Sequence, residues 1–140
     1  GGRAISLWEQ AVVVCRENGS LDVPWVRTEL ARTHARLEAM RLLNWKMTAA
    51  VAADELAPAD ASATKVYGTE TQLDTYCSLV QVLGVAGRLR AGSAGAALHG
   101  ELEQVSRQSV VNTFGGGVNE VLRDIVATAG LGLPRVKRKS

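Results

Sequence analysis

Apolar residues recur along this chain at helical spacing and nowhere alternate over a stretch long enough to build a sheet. Five segments carry the pattern. From Ala4 to about Glu17, Ile5, Trp8, Val12 and Cys15 share one side with Leu7, Ala11 and Val14 close by, which predicts a helix packed between neighbours. Asn18, Gly19 and Ser20 end it. Asp22 and Pro24 supply an N-cap and an early helical proline for a second helix reaching roughly Ala53. Its stripe is Val26, Leu30, Leu37, Met40, Asn44, Met47 and Val51, with His34 one turn after Leu30 and Arg27, Glu29, Arg32 and Arg36 facing away. Pro58 and Asp60 open a third helix that runs to about Leu83, with Val66, Thr69, Leu73, Tyr76, Cys77 and Val80 inward. Gly84 and Gly87 close it, and a Gly-, Ala- and Ser-rich loop leads to Leu98. A fourth helix, near Leu98 to Thr113, presents Leu102, Val105, Ser109 and Asn112 on a moderately apolar side. After Gly115, Gly116 and Gly117 a fifth begins at once. Val118, Val121, Leu122, Ile125 and Val126 make its apolar face, Glu120, Arg123 and Asp124 the other, and Gly130, Gly132 and Pro134 stop it.

Four helices joined mostly by short links, plus a C-terminal fifth, predict an all-α chain: an antiparallel, up-down four-helix bundle with an extra C-terminal helix. Its 140 residues suit one domain, residues 1–140, with a core rich in Ala, Leu and Val. Gly1 and Gly2 read as residues left by trimming, with the true N-terminus expected upstream. A formal charge of +2, acids and bases interspersed, implies neither nucleic acid nor a membrane surface as partner. Arg135, Lys137, Arg138 and Lys139 form a basic end, read as a solvated tail. Cys15 and Cys77 stand apart on helices, and with two histidines in the chain the spacing assembles no metal site. Both read as small core cysteines in a reducing cytoplasm. His34 is expected to be part-buried and hydrogen-bonded, His99 to lie on the surface, and Trp8, Trp25 and Trp45 to serve packing. No apolar run is long enough for a membrane span, and residues 1 to 18 lack a signal-peptide layout, so a cytoplasmic protein is expected.

The triple-glycine turn is the chemically distinctive stretch. Three glycines let the backbone turn sharply and leave room for another group to approach, and N–H groups at the following helix start can hold an anion or a polarised carbonyl. Taken alone, such a turn is more often only a tight connection, for which glycine is the default residue. The whole ending, T-F-G-G-G-V-N-E-V-L-R-D-I followed by L-G-L-P-R, resembles that of the acyl-CoA dehydrogenase family, where a glycine-rich turn leads into T-x-E-I-x-R and the chain closes on L-G-x-P-R. Gly116, Gly117, Glu120, Val121, Arg123, Leu131, Gly132, Pro134 and Arg135 carry the match. The resemblance extends upstream through the run from Val26 and through Ala61 to Gly87, covering nearly the whole chain. It implies the all-helical C-terminal domain of a flavoprotein whose complete chains also hold an N-terminal helical domain and a middle β-domain.

That resemblance implies FAD as cofactor and an acyl-CoA thioester as substrate, dehydrogenated to the 2,3-enoyl-CoA. It also implies an electron-accepting flavoprotein and a homo- or hetero-oligomer, with a tetramer expected. The family's Q-x-x-G-G-x-G, near the FAD diphosphate, matches Gln81, Gly84 and Gly87, with Val85 in place of one glycine. Arg16 takes the place of an arginine near the adenosine end, although Asn18 and Pro24 replace its companions. Arg107 matches the arginine of an R-D-A segment. Gly117 and Glu120 fall where the family meets the flavin, and Val118 replaces a threonine there. In many members the catalytic glutamate stands where this chain has Gly116, which takes no proton; others carry it on a helix position that would lie upstream of Gly1. No catalytic residue is therefore assigned within the chain, and the isolated stretch is expected to be inactive. Two alternatives stay open: a non-catalytic partner subunit in a heteromeric dehydrogenase, and a helical interaction module.

Overall fold

The computed structural model describes residues 2–135, which leaves Lys137, Arg138 and Lys139 of the basic end outside the described residues. Helix α1 spans Gly2–Glu17, α2 Pro24–Ala52, α3 Pro58–Leu83, α4 Glu101–Ser109 and α5 Asn119–Ile125. The described residues contain no strand, and the chain is an all-helical bundle with α5 added at its C-terminal end, as the periodicity predicts. Helix α3 is central, touching α1, α2, α4 and α5. Both long helices begin at a proline. The residue before a proline is pushed into extended backbone, and the proline gives up an N–H that would be unpaired anyway. Val23 (φ −74°, ψ 120°) and Ala57 (φ −77°, ψ 135°) are the N-caps, and neither cap uses a side chain. The expected cap Asp22 lies instead in the 3-10 turn Ser20–Asp22.

The core gathers Leu7, Ala11 and Cys15 of α1, Leu30, Leu37 and Met40 of α2, Leu79 and Val82 of α3, and Leu102 and Val105 of α4. Along α2 the buried positions are Val26, Leu30, Thr33, Leu37 and Met40, and beyond Met40 burial stops. Asn44 is exposed, and Leu42, Trp45 and Val51 are all more than half exposed. Length explains this. At 1.5 Å per residue the 16 residues of α1 reach about 24 Å and the 29 of α2 about 43 Å, so only α3 flanks the far half of α2. There α3 presents Ala61, Thr64 and Gly68, too small to cover it, and a groove lined also by Met47 remains.

Three further expectations are corrected. His34 is exposed: the buried row passes through Thr33, and the His34 ring stacks on Trp8 at 4.6 Å, while the Trp8 indole donates to the Leu30 carbonyl at 2.9 Å. Cys77 is exposed because α3 turns Thr75, Tyr76, Ser78 and Leu79 inward around it, whereas Cys15 is buried. On α5, Val121 is 56% exposed and Asn119 is the buried residue, so of the predicted apolar face Val118, Leu122, Ile125 and Val126 are half-buried while Val121 faces out.

Candidate functional site

The end of α4 tightens into a 3-10 turn, Val110–Thr113, and the amides of Phe114 and Gly115 both donate to the Val111 carbonyl at 3.0 Å. The backbone then reverses through Gly116 (φ 71°) and Gly117 (φ 109°), in the region that favours glycine. A Cβ on Gly116 would meet nothing within 4 Å, so this stretch of backbone is open to approach; one on Gly117 would lie 3.3 Å from Leu122. Phe114 beside it is 63% exposed.

The turn is tied to α3 by polar side chains. Lys65 Nζ donates to the Asn112 carbonyl at 3.2 Å, the Gly117 carbonyl at 2.8 Å and Asn119 Oδ1 at 2.9 Å. Asn119, 3% exposed, donates to Thr69 Oγ1 at 3.1 Å and Glu70 Oε1 at 3.2 Å. Arg123 closes the row, its Nη2 reaching both Glu70 oxygens at 2.6 and 2.8 Å. Sequence reasoning placed Gly116, Gly117 and Glu120 here but missed Lys65, Thr69, Glu70 and the role of Asn119. The partners lie about fifty residues apart, and no local spacing announces them. Glu120 stands exposed on the first turn of α5.

The second set of expected residues sits at the other end of α3. Gln81 is exposed, and Gly84 caps the helix with φ 59° and an open face, a Cβ there meeting nothing within 4 Å. Gly87 is buried and close-packed, since a Cβ would fall 3.0 Å from that of Leu83. Val85, in the departed glycine position, is 77% exposed. A hollow of about 260 Å³ beside Gly87 is lined by Arg88, Glu103, Ser106 and Arg107. Arg107 pairs with Glu103 at 3.1 Å and Arg90 approaches it at 3.8 Å; the Arg107 hydrogen bond holds the Glu103 carboxyl below its ordinary value. Arg16 is exposed at the end of α1.

The structure does not merge these two sets into one cluster. Thr69 and Gly84 are fifteen residues apart on α3, about 22 Å of helix. A separate groove of about 700 Å³ runs beside α3 and α4, lined among others by Gln72, Tyr76, Arg107, Ser109 and Asn112. Arg107 belongs also to the hollow beside Gly87, and Asn112 also to the turn's anchorage. Burial raises the Tyr76 phenol above its ordinary value. Around Gly84 and Gly87, bare backbone, an exposed Gln81 amide and the Arg88 and Arg107 guanidiniums are groups that can hydrogen-bond an anionic ligand such as a phosphate, while Gly116 offers open backbone at the separate turn. Among the described residues no group of three His, Cys, Asp or Glu side chains is placed to hold a metal, and no helix is long and apolar enough to cross a membrane.

The chain belongs to the acyl-CoA dehydrogenase family: residues 2–131 match the model of its C-terminal domain. It is 42% identical over 139 residues to the acyl-CoA dehydrogenase FadE26 of Mycobacterium tuberculosis (strain ATCC 25618 / H37Rv), covering 97% of this chain and 35% of that protein. With FadE29 of the same organism it shares 38% identity over 113 residues, covering 81% of this chain and 28% of that one. Among solved structures, it superposes on the Tcur3481-Tcur3483 steroid ACAD with a TM-score of 0.95 at 65% identity, covering 97% of this chain and 35% of that one. The ChsE4-ChsE5 complex from Mycobacterium tuberculosis gives 0.87 at 40%, covering 95% and 36%. The chain thus spans about a third of the length of the relatives it matches.

Proposed function

We propose that this chain is the C-terminal domain of a FAD-dependent acyl-CoA dehydrogenase acting on CoA esters of steroid side chains within a heteromeric assembly. The observation that carries this reading is the 65% identity and near-complete superposition on a steroid ACAD whose name joins two chains. Within that reading, Gln81, Gly84 and Gly87 with Arg88 and Arg107 face the diphosphate region of one FAD with Arg16 toward its adenosine end, and Gly117 and Glu120, tied to α3 about 22 Å from Gly84, lie against the flavin of another. When bound, the flavin supplies the hydride acceptor for α,β-dehydrogenation of the thioester. The chain's own contribution is shape and charge: an open Gly116 backbone where the thioester approaches, and arginines that neutralise phosphate. The proton is taken by a carboxylate outside these residues, because Gly116 stands at the family's glutamate position. The same substitution, with Val85 and Val118, supports a second reading in which this chain walls the FAD site of a partner subunit that carries the base.

The test is to purify the full-length protein with and without a co-expressed paired dehydrogenase chain, and to measure bound flavin and turnover of a steroid side-chain CoA ester against a straight-chain acyl-CoA. The first reading expects bound FAD and preference for the steroid ester, abolished by replacing a glutamate of this same polypeptide. If only a glutamate of the paired chain matters, the second reading replaces it. A complex without flavin refutes both.

A further inference from the structure

We propose that Lys65 is a positioning residue: its ammonium sets the shape of the Gly115–Gly117 turn on which the proposed reaction depends. The inference rests on the dehydrogenase reading for its consequence, but not for its geometry. Glycines have no side chains with which to fix a turn, and each leaves the backbone free to take other conformations. Here the constraint comes from outside the segment. Lys65 spends all three of its donors on the turn, one on the Asn112 carbonyl before it, one on the Gly117 carbonyl at its end and one on Asn119 just after it. Both flanks are thereby held to one point on α3 while Gly116 between them stays untouched and open. Lys65 also forms no ion pair among the described residues, so its charge acts on carbonyl and amide dipoles alone. Hydrogen bonding at the Gly117 carbonyl polarises the same peptide unit and makes the Val118 N–H a stronger donor toward whatever lies against the turn. Asn119 and the Glu70–Arg123 pair support the lysine from the far side.

The test uses the full-length protein in its assembled state, with Lys65→Met, Lys65→Gln and Lys65→Arg. Hydrogen exchange of residues 112–119 reads the hold on the turn without reference to activity; it is expected to speed by at least about tenfold in Lys65→Met while α1 and α2 keep their protection. Flavin content and turnover read the consequence: flavin retained, kcat lowered by about 10- to 100-fold, and KM for the acyl-CoA changed by less than about threefold, as expected when reacting groups are misplaced by a fraction of an ångström. Lys65→Arg, which keeps the charge and the donors, is expected to recover most of kcat. If Lys65→Met fails to fold, Lys65→Gln, which keeps one amide donor group at shorter reach, carries the same comparison. Unchanged exchange at 112–119 overturns the proposal, and so does faster exchange with unchanged kcat. A wild-type assembly lacking flavin and turnover would instead refute the dehydrogenase reading, and the exchange result would still decide whether Lys65 holds the turn.

Discussion

Two parts of this molecule are held together by different physics. Around Leu7, Leu37, Leu79 and Leu102 four helices meet through apolar side chains that are almost entirely buried. The glycine turn and α5 are instead fastened to α3 by Lys65, Thr69, Asn119, Glu70 and Arg123, with Asn119 the fully buried residue of α5. Apolar burial is non-directional and tolerates small shifts, whereas hydrogen bonds work only over a narrow range of distance and angle. The bundle core therefore supplies stability, and the polar fastening supplies position. A glycine-rich segment meant to lie against a ligand needs the second more than the first.

The comparison predicts its own largest effect in the core. Leu79→Ala should destabilise the whole domain by about 2–5 kcal/mol, the usual cost of emptying a fully buried leucine site. Urea or thermal unfolding would show one cooperative shift affecting all helices. A loss confined to α5 would contradict the division drawn above. Asn119→Ala comes next. It strands donors and acceptors on Lys65, Thr69 and Glu70, at about 1–3 kcal/mol. Hydrogen exchange should locate that loss at residues 112–130, with α2 and the C-terminal half of α3 still protected.

Legibility in the sequence follows the same divide. Apolar burial writes itself into local periodicity, so the limits of α1, α2 and α3 and core residues such as Leu30, Leu37, Leu102 and Val105 could be read directly. Errors arose where the period was right but the neighbour was missing: Asn44 and Val51 continue the α2 stripe past the reach of α1, and Val121 continues the α5 stripe with nothing opposite. Cys77 and His34 lie one position off the buried row, a rotation that a repeat of 3.6 leaves ambiguous. The anchorage of the turn was not legible at all. A lysine on a helix and an asparagine after three glycines are unremarkable residues until α3 and α5 are laid side by side. Family resemblance located Gly116, Gly117 and Gly84, and the geometry adds what holds the first two.

A finer test separates the two glycines at the turn. Alanine at either must accept left-handed backbone at about 1–2 kcal/mol, but at Gly117 its Cβ also presses on Leu122 at 3.3 Å, while at Gly116 it faces open space. Gly117→Ala should therefore loosen residues 112–130 more than Gly116→Ala in the same exchange experiment. Gly116→Ala should show its larger effect on ligand approach, as a rise in KM for the acyl-CoA in the full assembly. Equal exchange in the two variants would mean that Leu122 gives way freely and contributes nothing to the turn.

The smallest effect belongs to charge on the core side. The hydrogen bond from Arg107 lowers the Glu103 pKa, with the Arg107 and Arg90 charges acting in the same direction against partial desolvation. A carboxylate whose folded pKa lies below its unfolded value contributes stability that is fully present above the unfolded value, near 4.3 for glutamate, and is lost as pH falls through the folded one. Glu103 lies on α4 between Leu102 and Val105, both core residues, so the acid-side loss should be global rather than confined to the turn. Glu103→Gln should flatten the fall in unfolding free energy on acidification below about pH 4.3 and leave the neutral-pH dependence unchanged. Glu38, lowered likewise by its hydrogen bond from Arg41, retains its own share, so the flattening is partial. Raised salt should shrink the difference between wild type and Glu103→Gln, because Arg107 and Arg90 are mostly exposed and screened. An acid loss that Glu103→Gln leaves unaltered, or one that frees residues 112–130 first, would show the polar fastening of the turn, not α4, to be the pH-sensitive element.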